Sequence, residues 1–186
     1  MICIAVFEME EIIMLSSILD KEVCANCKNC CVFYEESRWE MPKVSEHKGK
    51  FIRNFLKDQT AVLRTPEGFR LKSVERKERL DPDSEEYRCI ALNEQKGCTL
   101  PIELRPMECR MWPLRVMDDN GRIYIALAQS CSAVSMKFKM DVIKLLNDNL
   151  KDEIIELIKA GKHIIRKFEP SYKRLIEITE DVKGYE

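Results

Sequence analysis

The stretch Cys24-Ala-Asn-Cys27-Lys-Asn-Cys30-Cys31 puts four of the chain's nine cysteines within eight residues. A two-residue spacer lets a tight turn aim two sulfurs at one centre. Two spacers in succession offer Cys24, Cys27 and Cys30 to one face of a cluster, the spacing that bacterial ferredoxin runs use. Cys31 follows Cys30 directly, so its side chain leaves in another direction and is available to a neighbouring centre. Cys89, Cys98, Cys109 and Cys131 lie at wider intervals. Cys3 reads as a small apolar residue outside the set.

Working outward, a disulfide framework fits poorly, because the count is odd and Cys30 and Cys31 are adjacent. Residues 1–19 are apolar but lack a basic leader and are interrupted by Glu8, Glu10 and Glu11. They resemble neither a signal peptide nor a membrane span, which needs about 20 apolar residues. Residues 8–21 instead predict an amphipathic helix with Ile12, Leu15, Ile18 and Leu19 on its buried side. The expected compartment is a reducing cytoplasm, where clustered cysteines mean metal more often than cystine.

The 186 residues suit a single domain, 1–186, with a cysteine-rich core over 22–133 and a helical extension over 134–186. Hydrophobic residues make up 45% of the chain, enough for a core. Net charge is −1, from 31 basic and 32 acidic side chains, which suits neither a nucleic-acid clamp nor a polybasic membrane tether. Oligomeric state is not legible.

Ser45 predicts a helix N-cap, with the helix running to Lys57 and Phe51, Ile52, Phe55 and Leu56 inward. Residues 61–65 and 69–74 flank Pro66-Glu67-Gly68 as a hairpin, and 87–92 and 98–100 flank a second one. Pro101 opens a short helix to Arg110, kinked at Pro106. Residues 114–117 and 122–128 flank Asp118-Asp119-Asn120-Gly121, the strongest hairpin signal in the chain. Phe138, Val142, Leu145, Leu146, Leu150, Ile154, Leu157 and Ile158 step by three and four along one long helix, ended by Gly161. Tyr172, Ile176 and Ile178 alternate loosely, as in an extended segment. The expected fold class is α+β: a small irregular cysteine-rich metal-binding core of short hairpins, packed by two or three helices including a long C-terminal one.

The thiolate is a soft, charged donor. Eight of them, Cys24, Cys27, Cys30, Cys31, Cys89, Cys98, Cys109 and Cys131, suffice for two four-cysteine sites, one larger multinuclear site, or one cluster with spare cysteines. All-sulfur ligation suits an iron–sulfur cluster (4Fe-4S or larger) and zinc alike. The close-packed first run favours a multinuclear centre, since one tetrahedral ion uses only four ligands. Such a centre is anionic, and Arg105 and Arg110 bracket Cys109 as candidate donors to it. Trp112 reads as core. His47 and His163 are isolated and read as ordinary residues rather than ligands. There is no GxxxxGKS/T loop and no GxGxxG turn, and six glycines leave little room for a glycine-rich nucleotide or S-adenosylmethionine pocket.

On these motifs the chain resembles the YkgJ-type CxxCxxCC family, described as a zinc- or iron-chelating domain. Cys24-x-x-Cys27-x-x-Cys30-Cys31 matches its first run. Cys89, Gly97-Cys98, Arg105-Pro106-x-x-Cys109-Arg110-x-x-Pro113 and Cys131 match its second half. The likeness spans Cys24 to Cys131; Thr99-Leu100-Pro101 departs from it where relatives often carry an aromatic. Flagellin lysine-methylating enzymes share the cysteine pattern and are linked with an iron–sulfur cluster. The resemblance implies metal chelation, with iron favoured by analogy. Three functions follow as expectations. The first is a cluster-bearing protein with a redox or protein-modification accessory role, working with a protein or redox partner. The second is a zinc-stapled interaction module without catalysis. The third is an enzyme that modifies a protein, for which no cosubstrate motif is visible.

Overall fold

Asn120 and Gly121 adopt left-handed φ values of 55° and 85°, the pair of conformations a tight two-residue hairpin turn demands. The Gly121 N–H donates to the Asp118 carboxylate at 2.7 Å, closing the turn. It joins β9 (Leu114–Asp119) to β10 (Arg122–Ala128), in register from Arg122 opposite Asp119 to Leu127 opposite Leu114. This is the central hairpin of the computed structural model, which describes residues 26–77, 84–131, 134, 136–160 and 164–185. The predicted helix over 8–21, together with Cys3, Cys24, Gly161 and His163, lies outside the described residues.

Two C-terminal strands complete this sheet. β11 (Ile165–Lys167) runs parallel to β9, and β12 (Tyr172–Glu177) runs antiparallel to β10, giving the order β11-β9-β10-β12. The segment expected to be extended thus supplies both outer strands of the largest sheet.

Side chains alternate across a strand, so the sheet has two distinct faces. Leu114, Val116, Ile123, Ile125 and Leu127 face the long helix, where they meet Phe138, Val142, Leu146, Leu150, Ile154 and Ile158. Met117, Ala126, Ala128 and Tyr172 line the other face with Trp112 and Cys131. The predicted long helix is present as α3 (Met136–Leu145) and α4 (Lys151–Lys159), joined by one π-helical turn, Leu146–Leu150. The most deeply buried line, Val142, Leu146, Leu150, Ile154 and Ile158, steps by four, flanked by Ile155 and Leu157. On a 3.6-residue helix each such step rotates the stripe by about 40°. The wider π turn takes up part of that drift and keeps the stripe on the sheet.

The preceding half is built from smaller pieces. α1 (Glu46–Leu56) starts at Ser45, whose hydroxyl accepts the Lys48 N–H at 3.2 Å, and ends at Lys57 in a left-handed cap. The inward stripe is Gly49, Ile52 and Leu56; a Cβ at Gly49 would stand 3.3 Å from Val62. Phe51 and Phe55 were expected inside but are 43% and 48% exposed, because this close approach centres the stripe one residue away from them. Phe51 lies edge-on to His47 instead. β2 (Lys43–Val44), β3 (Val62–Thr65) and β4 (Gly68–Leu71) form one sheet, with the predicted hairpin between β3 and β4.

The segment that follows does not extend β4. β5 (Ser73–Glu75) joins β6 (Glu86–Cys89) and β1 (Val32–Tyr34) in a second sheet. The predicted hairpin over 87–100 is accordingly shorter, with β7 (Leu92–Asn93) against β8 (Gly97–Cys98). The helix expected from Pro101 is split into a 3-10 turn, Ile102–Leu104, and α2 (Met107–Met111). Arg105 between them is extended (φ −63°, ψ 133°), the conformation a following proline imposes. The chain is thus mixed α and β with several small sheets and a long C-terminal helix. Among the described residues no helix is long and apolar enough to cross a membrane.

Candidate functional site

Lys28 takes a left-handed φ of 55°, and its carbonyl accepts the Cys31 N–H at 2.8 Å. The resulting 3-10 turn, Asn29–Cys31, presents Cys30 and Cys31 inward. Two clamps hold this turn. Asn29 Nδ2 donates to the Ser130 carbonyl at 3.0 Å, and Lys28 pairs with Glu94 at 3.7 Å. β1 follows immediately and pairs with β6, setting Val32 opposite Arg88. The early cysteine run is thereby fastened to the segments that carry Cys89 and Cys131.

The thiols enter two adjoining apolar clusters. Cys31, Cys89 and Cys98 share one with Phe33, Leu92 and Leu100. Cys30 packs with Cys131 and Trp112 in the other, on the sheet face away from the long helix. The turn between Cys30 and Cys31 bridges them, with the two sulfurs 3.8 Å apart. Cys109, on α2, lies within the electrostatic reach of Cys89, Cys30 and Cys98. Cys27 is half-buried and belongs to neither cluster. None of the seven described cysteines is in a disulfide. Among the described residues, no group of three or more His, Cys, Asp or Glu side chains is arranged to hold a metal ion. The sulfurs share a neighbourhood rather than a closed ligand shell.

The thiols strongly perturb one another. Cys30 is pulled below its ordinary value by the hydrogen bond from Cys31, against burial, with help from the positive charges of Arg115 and Arg105. Cys31 is pushed well up by that same bond, by burial, and by the negative charge on Cys30, Cys89 and Cys109. Burial pushes Cys89 up to about 12. Burial also drives Cys109 well above its ordinary value, reinforced by Cys89 and Cys30 and opposed by Arg115. Burial and the like charges of neighbouring thiolates oppose their joint ionisation.

Of the two arginines singled out in the sequence, Arg105 donates from Nε to the Leu100 carbonyl at 3.0 Å and contributes positive field at Cys30. The Arg110 Nε is buried with no hydrogen-bond partner among the described residues. No family model, curated protein or solved structure matches the chain.

Sequence reasoning missed the cation deepest in the site. Arg115 is 4% exposed, stacks over the Trp112 ring at 4.9 Å, and acts on both Cys30 and Cys109. Its sequence signal was weak: a charged residue alternating with Leu114 and Val116 on a strand reads as the solvent face. It also missed the bracing behind the site. Arg166 grips the Glu108 carboxylate from Nε at 2.6 Å and Nη2 at 2.8 Å, and the Lys43 N–H donates to it at 2.7 Å. Arg166 reaches on to the carbonyls of Trp39 and Met41, and the Tyr172 hydroxyl donates to Glu40 at 2.8 Å. Since Glu108 adjoins Cys109, this network fixes α2 against β2 and β11.

Proposed function

We propose that this chain is a metal-thiolate protein whose cysteines hold an iron–sulfur cluster (4Fe-4S or larger), in a redox or protein-modification accessory role. The observation that carries the reading is the grouping of Cys30 and Cys31 with Cys89, Cys98, Cys109 and Cys131. These thiols come from both halves of the chain and lie in or beside two adjoining apolar clusters, with no disulfide among them. The hydrogen bond with Cys30 pushes Cys31 up and burial pushes Cys89 and Cys109 up, which a bound cation would offset, because metal ligation requires the thiolate. Cys24 and Cys27 complete the ligand set by spacing. The resemblance to the CxxCxxCC family supports the same reading. More thiols gather than the four a single tetrahedral ion uses, which favours a multinuclear centre. A reducing cytoplasm and a protein or redox partner go with this role.

Zinc is the second reading, because all-sulfur ligation suits it equally. On that reading the protein is a zinc-stapled interaction module.

Anaerobic purification followed by iron, zinc and sulfide analysis separates the two. The first reading predicts brown protein absorbing broadly at about 400 nm, with iron and acid-labile sulfide in comparable amounts. Colourless protein carrying stoichiometric zinc favours the second. Protein that takes up neither metal overturns both.

A further inference from the structure

Three of the most buried charged side chains are arginines, and two of them hold a carboxylate. Arg76 pairs with Glu86 at 2.9 Å and Glu94 at 3.1 Å, and Arg166 pairs with Glu108 at 2.6 Å. Arg115 does not. Among the described residues it makes no ion pair, although only 4% of it is exposed. Its hydrogen bonds both leave Nη1, to the carbonyls of Glu108 at 2.6 Å and Leu114 at 3.3 Å. The two nearby carboxylates are engaged elsewhere: Glu108 by Arg166 and the Lys43 amide, Glu40 by Tyr172.

An arginine cannot shed its charge. Burying one with no anion in direct contact is costly, and neither stacking on Trp112 nor two carbonyls neutralises it. The charges of Glu108, Tyr172 and Glu40 also reach Arg115, but those groups are hydrogen-bonded within the bracing network, whereas the thiols of Cys30 and Cys109 are the groups near it that a bound metal would hold as anions.

We propose that Arg115 is the built-in counter-charge of an anionic centre held through Cys30 and Cys109, its guanidinium fixed by Trp112 and the two carbonyls. The inference rests on the metal-thiolate reading and adds that the loaded centre is negative on its Arg115 side. Four thiolates around a divalent ion carry a net charge of about −2, which a desolvated cation at this position offsets. Arg115 is thus a positioning and charge-balancing residue, not a ligand.

The test uses the full chain, with zinc as the probe metal. Zinc affinity is measured by competition against a chromophoric chelator for the unaltered protein, Arg115→Met and Arg115→Lys. Melting of each metal-free form is followed alongside. The expected result is a loss of affinity of about tenfold or more in Arg115→Met. Arg115→Lys should stay within about threefold of the unaltered protein, because it keeps the charge while losing the fork geometry. Metal-free Arg115→Met should still melt as a cooperative fold, so that a loss of affinity is not a failure to fold. If Arg115→Met fails to fold, Arg115→Gln takes its place in the comparison. Equal zinc affinity in the neutral variant and the unaltered protein overturns the proposal. So does an equal loss in the Lys and Met variants, which marks a packing role. Failure of the unaltered protein to bind zinc or iron instead defeats the metal-thiolate reading beneath it.

Discussion

Glu108→Ala is expected to destabilise the protein by about 3–5 kcal/mol, because it leaves the Arg166 guanidinium buried with no anion. Arg166 is 6% exposed, and two of its nitrogens donate to Glu108. The same substitution orphans the Lys43 N–H, which donates to the carboxylate from β2. Total stability of a domain is about 5–15 kcal/mol, so a loss of this size unfolds a visible fraction of molecules at ordinary temperature. Replacing both partners by apolar residues, Glu108→Leu with Arg166→Met, should recover much of it, since no unpaired charge remains. Urea titration of the three proteins checks this, and a single-variant loss below about 1 kcal/mol, the scale of an exposed pair, contradicts it.

The pair also sets an acid limit. Burial pushes the Glu108 carboxyl up, yet the Arg166 hydrogen bonds, the Arg115 and Arg166 charges and the Lys43 N–H together leave it below its ordinary value. A carboxyl whose folded value is depressed contributes stability that is fully present above the unfolded value of about 4.3. That stability drains away as pH falls through the folded value. Glu40 is pushed up by burial against the Tyr172 hydrogen bond, so its contribution has the opposite sign and fades as pH rises. Glu108→Ala should therefore cost most near neutral pH and least in strong acid.

Cys109→Ser is expected to remove half or more of the metal retained against a chelator, and to abolish most of the melting shift between loaded and metal-free protein. Structural zinc contributes about 10–16 kcal/mol of apparent binding free energy in small zinc-binding peptides, so a defective shell is felt directly in folding. Cys109 sits between the fields of Cys89, Cys30 and Cys98, and serine offers no comparable soft donor there. The metal-free variant should lose only about 1–3 kcal/mol, the penalty for a hydroxyl left without a partner in an apolar site. Metal analysis and melting curves with and without chelator check the two effects separately. Unchanged stoichiometry in Cys109→Ser removes this residue from the ligand set.

The elements legible in the sequence are those fixed by local chemistry. Ser45 and Lys57 bound α1 because capping is decided within one turn. Asn120-Gly121 sets β9 and β10 because few other residue pairs accept both left-handed conformations. The split at Pro106 was legible as a kink, since the proline acts on its immediate neighbour. What escaped depends on distant partners. β11 is a strand because it lies parallel to β9, beyond the whole long helix. Phe51 and Phe55 are set outward by the approach of Gly49 to Val62.

The candidate site divides the same way. Its thiols announced themselves by spacing and by the downstream Arg105-Pro106-x-x-Cys109-Arg110 segment. Its charge balance did not. Glu108 and Arg166 are 58 residues apart in the chain, and nothing local in either marks the pairing. Arg115 is buried only because its strand presents a second, occupied face to Trp112 and Cys131.

X-ray absorption at the edge of whichever metal the anaerobically purified protein carries asks most directly whether these thiols are ligands. A first shell of sulfur alone, about four atoms per metal at about 2.3 Å, is the predicted result. A shell dominated by oxygen or nitrogen, or protein with no stoichiometric metal to measure, contradicts it.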